Sequence, residues 1–230
     1  MTRAARAGRR GRAGSTALDE TERHPPRSSE PAPPTVLHLV RHGRPAIDPS
    51  TPASRWRLRE DAAVDVRVLR DTDVLPHKAM WFSSPEPRAL ETAVILHPGA
   101  PVHEAFREAE RGTAWLGADV FVAAVRRAFE VEEAPGAGGW EPLAQTRRRV
   151  VAAAAAAIGQ SRGAEGSGDV VLVGHGTAWT LLVADLTCSP PDLARWEQMT
   201  MPDHCSIDVE RGSIVSHWGQ WRDGAGSVGP

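Results

Sequence analysis

The sequence predicts an α/β fold: a three-layer sandwich in which helices flank a mostly parallel central sheet. Three observations lead there. Short, predominantly apolar runs at residues 36–40, 79–82 and 169–173 read as strands buried on both faces. Segments with helical apolar spacing alternate with them. Two of the runs stop abruptly at a histidine flanked by glycine, in Arg41-His42-Gly43 and Gly174-His175-Gly176, and in such sheets ligands collect at the carboxyl ends of the strands.

Taken in order, Val36–Val40 is the first strand, rich in aliphatic and β-branched residues. Residues 59–70 place Ala62, Ala63, Val66 and Leu69 on one helical face, and Ala79–Phe82 is the second strand. Ser83 and Ser84 offer an N-cap and Pro85 a first-turn proline, so a helix is expected over 85–96 with Leu90, Val94 and Ile95 as its apolar stripe. Pro101–Glu104 reads as a third, short strand, followed by a polar loop to Gly112. Two helices, 118–132 and 141–158, flank the glycine-rich stretch 135–139. Asp169–Val173 is the next strand, 177–186 and 191–199 are helices, and 207–210 with 213–218 form a hairpin across Arg211-Gly212.

Residues 1–34 differ from the rest. They hold seven arginines, four acidic residues and five prolines, which reads as an arm too poor in apolar surface to offset its ordering entropy. A passive tail, a polyanion-binding arm and an Arg-rich targeting peptide all fit it; a secretory signal does not, because no apolar core is present. The domain is expected over 35–222 and a flexible tail over 223–230. Of the 230 residues, 27 are basic and 29 acidic, a net charge of -2. The arm carries +3, so the remainder stands at -5, and no nucleic-acid partner is expected. Two cysteines, Cys188 and Cys205, are too few for a disulfide framework and lack zinc-ligand spacing, which fits a reducing, cytoplasmic setting with no metal and no other cofactor. The longest apolar run, Val150–Ile158, is nine residues, far short of a membrane span.

Four elements could carry chemistry. Arg41 beside His42 at a strand end joins a guanidinium fork to an imidazole. Ser83-Ser84-Pro85-Glu86-Pro87-Arg88 starts a helix whose N-terminus favours an anion, with Arg88 in its first turn. Gly174-His175-Gly176 lets backbone N–H groups approach a ligand, and Phe106–Gly112 is a loop with two carboxylates, Glu108 and Glu110. Singly each is weak: a strand-ending histidine commonly just bonds a carbonyl, Arg88 can pair with Glu91, and the loop acids can be solvated.

In this order, strand-Arg-His-Gly, then Ser-Ser-Pro-x-x-Arg-Ala-x-Glu-Thr-Ala, then an apolar-x-Glu loop, then a strand ending Gly-His-Gly, the chain resembles the histidine phosphatase superfamily from about Val36 to Trp218. The resemblance implies a pocket for phosphate built from Arg41, His42, Arg88 and His175. In it neutral His42 attacks phosphorus and forms a phosphohistidine that water later cleaves, while protonated His175 is a further donor. The leaving alkoxide needs an acid. Glu108 matches the family's apolar-x-Glu pattern, with Gly112 and Trp115 following, and Glu110 is the reserve. The chain departs from the family after Arg-His-Gly, where Arg44-Pro45 stands in place of the usual polar pair; Arg44 is expected to contact a second anionic group of substrate or to face solvent. Only two helices and a glycine-rich loop separate Gly112 from Asp169, which favours hydrolysis of a small phosphomonoester over mutase-type transfer. A non-catalytic module binding a phosphorylated ligand is the alternative from another class. His38 is expected to be a core histidine, His204 a residue at the pocket edge, and Arg147–Arg149 a solvated helix face.

Overall fold

The structure, a computed structural model, describes residues 35–113, 115–163 and 168–223. The expectations for residues 1–34 and, apart from Asp223, for the tail over 223–230 lie outside the described residues.

Five strands form one sheet: β1 (Val36–Arg41), β2 (Met80–Ser83), β3 (Val170–Gly174), β4 (Asp203–Asp208) and β5 (Ser213–Ser216), in the order β2-β3-β1-β4-β5. The first three are parallel, with Leu37 opposite Val170 and Arg41 opposite Gly174, while β4 and β5 are antiparallel to their neighbours. Helices α1 (Ala62–Arg70) and α2 (Pro87–Leu96) cover one face; α4 (Leu143–Arg162) and α5 (Gly176–Leu186) cover the other. The continuous apolar runs follow from this arrangement. Leu37, Leu39, Val170 and Leu172 pack toward α4 and α5, whereas Val40, Val171 and Val173 pack toward α1 and α2. All seven are fully buried, and each contributes about 1.5–3 kcal/mol of burial free energy. A third apolar cluster joins α3 (Ala118–Glu130), α5 and α6 (Leu193–Gln198) through Val125, Phe129, Leu181 and Trp196.

Four sequence expectations shift. Pro101–Glu104 is not a strand: Val102 makes one bridge to Ser83, and Glu104–Phe106 is a 3-10 turn that buries Phe106. Helix α2 begins at Pro87 rather than Pro85, because Glu86 takes the extended N-cap conformation. Helix α4 runs one turn longer, to Arg162. Strand β4 begins four residues before the expected hairpin strand, and its polar start hides it from apolar patterning. Asp203, His204, Cys205 and Ser206 are all buried. Asp203 accepts from the backbone N–H of Thr200, His204 and Gly219 and from the Trp221 indole, and His204 Nε2 lies 3.1 Å from His38 Nδ1, while His204 Nδ1 has no hydrogen-bond partner. His38 is thus the core histidine expected, and His204 is its buried partner rather than a pocket-edge residue.

Among the described residues, no helix is long and apolar enough to cross a membrane.

Candidate active site

Parallel pairing brings the chemistry together. Because Arg41 stands opposite Gly174, the residues that follow, His42 and His175, emerge side by side from adjacent strands, and the His42 amide donates to Gly174 O at 2.9 Å. Their rings lie 5.2 Å apart in an edge-to-face arrangement. Strand β2 ends one position away, and the Ser84 amide donates to Val173 O at 2.9 Å, which sets α2 and Arg88 at the same edge. Gly43 is required by packing: a Cβ there would stand 2.7 Å from Leu58 and 2.9 Å from Val66.

The tautomer of His42 follows from its partners. Gly43 O can only accept, so His42 Nδ1 carries the proton it donates there at 2.7 Å. Arg88 Nε can only donate, so His42 Nε2 presents its lone pair at 2.9 Å. Burial first, then the charges of Arg88 and Arg41, hold the His42 pKa well below its ordinary value, so the ring is neutral near pH 7.

His175 is fully buried. Arg88 Nη2 donates to its Nδ1 at 3.2 Å, which leaves the proton on Nε2, 2.7 Å from Ser84 Oγ. Burial and the Arg88 charge push its pKa far down as well. The expected protonated donor is therefore a neutral imidazole in the free site, and it contributes no wall to the cavity. The cations are guanidiniums. Arg41 is lowered to about 10 by burial and stays charged; its Nη1 donates to Met199 O at 2.7 Å, while its Nε has no hydrogen-bond partner. Arg88 also bonds Ala53 O and pairs with Glu86 Oε2 at 2.6 Å.

Glu108 lines the cavity at the N-terminus of α5. Its Oε1 accepts from Ala109 N (2.9 Å) and Ala178 N (3.1 Å), and its Oε2 accepts from Thr177 N at 3.2 Å and lies 3.2 Å from Arg111 Nη2. Glu110 is exposed and off the cavity wall. Arg44, expected to contact substrate or to face solvent, also lies off the wall: its guanidinium turns to α1, 2.8 Å from Asp65 and 3.7 Å from Asp61, with its Nε left without a hydrogen-bond partner.

Three residues escaped the sequence reading. Glu86 is buried beneath the site; its Oε1 accepts the Glu108 amide at 2.8 Å and lies 3.7 Å from His175 Nε2. Burial raises its pKa against the pull of Arg88. Arg111 donates to Thr177 Oγ1 at 2.7 Å and lies over the Phe121 and Trp140 rings. Arg149, expected on a solvated face, instead clamps the acid loop, donating to the carbonyls of Ala105, Arg107 and Glu108 at 2.6–2.8 Å. Helical spacing carries a signal for it, since 146, 149 and 153 share a face with buried Thr146 and Ala153.

The cavity spans about 540 Å³ and is lined at one end by Arg41, His42 and Arg88. Arg41, Arg88, Arg111 and Glu108 line the cavity together with the neutral His42 ring, an arrangement suited to receiving an anion. Among the described residues, no group of three or more His, Cys, Asp or Glu side chains is placed to hold a metal ion.

The profile of the histidine phosphatase superfamily (branch 1) matches residues 37–218. Mycobacterial glucosyl-3-phosphoglycerate phosphatase shares the fold, with a TM-score of 0.60 at 21% identity over 80% of this chain and 97% of that one. YhfR from Bacillus stearothermophilus gives 0.61 at 23% identity over 80% and 96%. No curated protein matches the sequence.

Proposed function

The chain belongs to the histidine phosphatase superfamily, and on that premise we propose that it is a phosphomonoesterase that works without a metal, through a phosphohistidine on His42. The observation that carries this reading is the state of His42: a neutral ring whose Nδ1 proton is committed to Gly43 O and whose Nε2 lone pair faces a guanidinium in the cavity. When a phosphoryl group takes that place, Arg88 and Arg41 hold its equatorial oxygens, where charge is spread in the transition state. The Nε2 lone pair forms the N–P bond as the P–O bond to the leaving group breaks, and Glu108, which takes up a proton as the phosphate ester binds, passes it to the leaving oxygen. Water then attacks phosphorus, the N–P electron pair returns to Nε2, and Glu108 takes the proton from water. His175 acts behind the reacting atoms, as the acceptor that fixes one arm of Arg88.

Two features support the choice of Glu108 over Glu110: its place on the cavity wall and the exposure of Glu110 outside the cavity; three backbone N–H groups hold the Glu108 carboxyl in position. The test is hydrolysis of p-nitrophenyl phosphate in excess EDTA. The reading expects turnover that EDTA leaves intact and that His42→Ala abolishes. Turnover lost with EDTA, or kept in His42→Ala, contradicts it. Appearance of the phosphoryl group on an added alcohol in place of inorganic phosphate marks a transferase instead.

A further inference from the structure

Resting on the phosphatase reading, we propose that the ester accepted by this site carries an uncharged aromatic leaving group, not a polyol and not a group with a second negative charge. The cavity is far larger than a phosphoryl group, and its size is that of sites which enclose a drug-sized molecule. Its wall carries five aromatic rings, Trp56, Trp115, Phe121, Trp140 and Trp196, together with aliphatic side chains such as Ile47, Leu116 and Met201. They are mutually tilted: Trp56 and Trp115 lie 5.7 Å apart at 51°, Phe121 and Trp140 5.9 Å at 47°, Phe121 and Trp196 6.2 Å at 40°. Rings set at such angles offer both faces and edges to an entering aromatic group.

These walls offer little polar chemistry. The Trp56 indole N–H is already given to Asp48 O and Thr51 O, so it presents a ring and not a donor. Thr177 Oγ1 accepts from Arg111 Nη2. Among the described lining residues, the side-chain polar groups besides Arg41, His42, Arg88, Glu108, Arg111 and the indole N–H groups are the hydroxyls of Thr51, Thr113 and Thr177, with no Asp, Asn or Gln. A hexose or glyceryl group would bring several hydroxyls to a surface that leaves them unmatched, and that loss is the strongest form of discrimination a pocket has.

Arg111 is the cation that could read a second anionic group, and it is already engaged. It lies 3.2 Å from Glu108 and 2.7 Å from Thr177 Oγ1, with its guanidinium carbon 4.8 Å from the Phe121 centroid. These contacts hold its guanidinium inside the wall, beside the acid and the rings. Trp115, in contrast, is 48% exposed although it packs on Trp56, which leaves a large apolar ring at the mouth for the leaving group to cover.

The test uses esters of aliphatic alcohols, so that leaving-group reactivity does not masquerade as recognition: 1-naphthylmethyl phosphate and benzyl phosphate against glycerol 3-phosphate, glucose 6-phosphate and 3-phosphoglycerate. The expected kcat/KM for 1-naphthylmethyl phosphate exceeds that for glycerol 3-phosphate by roughly 100-fold. Trp115→Ala, at an exposed position, should cut that ratio by roughly tenfold. Equal rates, or a preference for glucose 6-phosphate or 3-phosphoglycerate, overturn the substrate class and leave the phosphatase reading standing. If no ester is hydrolysed, including p-nitrophenyl phosphate, the phosphatase reading falls. The cavity claim is then read from binding: 1-naphthylmethylphosphonate should quench tryptophan fluorescence with a Kd at least about tenfold below that of methylphosphonate, and equal affinities overturn it.

Discussion

Replacing Arg149 separates the support of the acid loop from the chemistry of the site. Its guanidinium donates to the carbonyls of Ala105 (2.7 Å), Arg107 (2.6 Å) and Glu108 (2.8 Å) and pairs with Glu141 at 3.0 and 3.2 Å. Burial alone would push the Glu141 carboxyl up, yet Arg149 and its other donors hold it down at about 2, so the clamp stays charged across the neutral and mildly acidic range. Hydrogen bonds to a charged group contribute about 1.5–3 kcal/mol each. Arg149→Ala frees three carbonyls and leaves the nearly buried Glu141 carboxylate to Arg107, so the expected loss is about 3 kcal/mol, the low end for breaking a buried ion pair. The catalytic effect should be larger than the stability loss suggests. Slack of about 1 Å in Glu108 is expected to cost on the order of 100-fold in kcat. Phosphate affinity should hold, because neither Arg41 nor Arg88 is hydrogen-bonded to Arg149. Arg149→Lys, a point charge in place of a planar fork, should fall between. The assay is paired: guanidinium unfolding for stability, and kcat with inorganic phosphate inhibition for the site. A destabilised Arg149→Ala enzyme with kcat within about twofold of the parent would refute the reasoning, since Glu108 would then be placed by Thr177 and Ala178 alone.

The buried pair His38 and His204 predicts loss of stability in acid. Burial lowers His38 to about 4; burial and then the charge of His38 lower His204 to about 3. Unfolded chains take up protons near pH 6.5 while the folded protein does not, so stability should be level above that pH and fall below it, by about 2 kcal/mol per histidine at pH 5. Denaturation midpoints that do not change from pH 7 to pH 5 contradict this. Arg44→Ala should leave kcat/KM unchanged and cost under about 1 kcal/mol, because its partners are exposed or half-exposed carboxylates of α1; a selective rise in KM for a substrate with two anionic groups would return Arg44 to the site. Glu86→Gln keeps an acceptor for the Glu108 amide but leaves the buried Arg88 charge without its partner, an expected loss of about 3–5 kcal/mol by thermal or chemical unfolding. A variant as stable as the parent shows that Glu86 is not the counter-charge of Arg88.

The legible parts of the fold were those fixed by apolar periodicity. Strands β1, β2 and β3 are largely apolar runs because helices cover both of their faces, and the polar side chain within β1, His38, is buried against His204. Strand β4 starts with Asp203 and His204, whose burial depends on partners distant in sequence, on Trp221, Gly219 and His38, so its start carries no local signature. The site divides in the same way. Arg41, His42, Arg88 and His175 stand at strand and helix ends that the sequence marks, and parallel register assembles them. The charge state of His175 and the direction of Arg44 are set by neighbours 87 and 21 positions away, Arg88 and Asp65, and no motif specifies those contacts.

The central claim is that phosphorus is transferred to Nε2 of His42. Mixing the enzyme rapidly with substrate, quenching it in alkaline denaturant that preserves phosphohistidine, and mapping the peptides by mass spectrometry reads this directly. The account predicts phosphate on the His42 peptide, bonded to Nε2 and absent from His42→Ala. A phosphate-free His42 in enzyme that is turning over, or phosphate found on His175 instead, contradicts it.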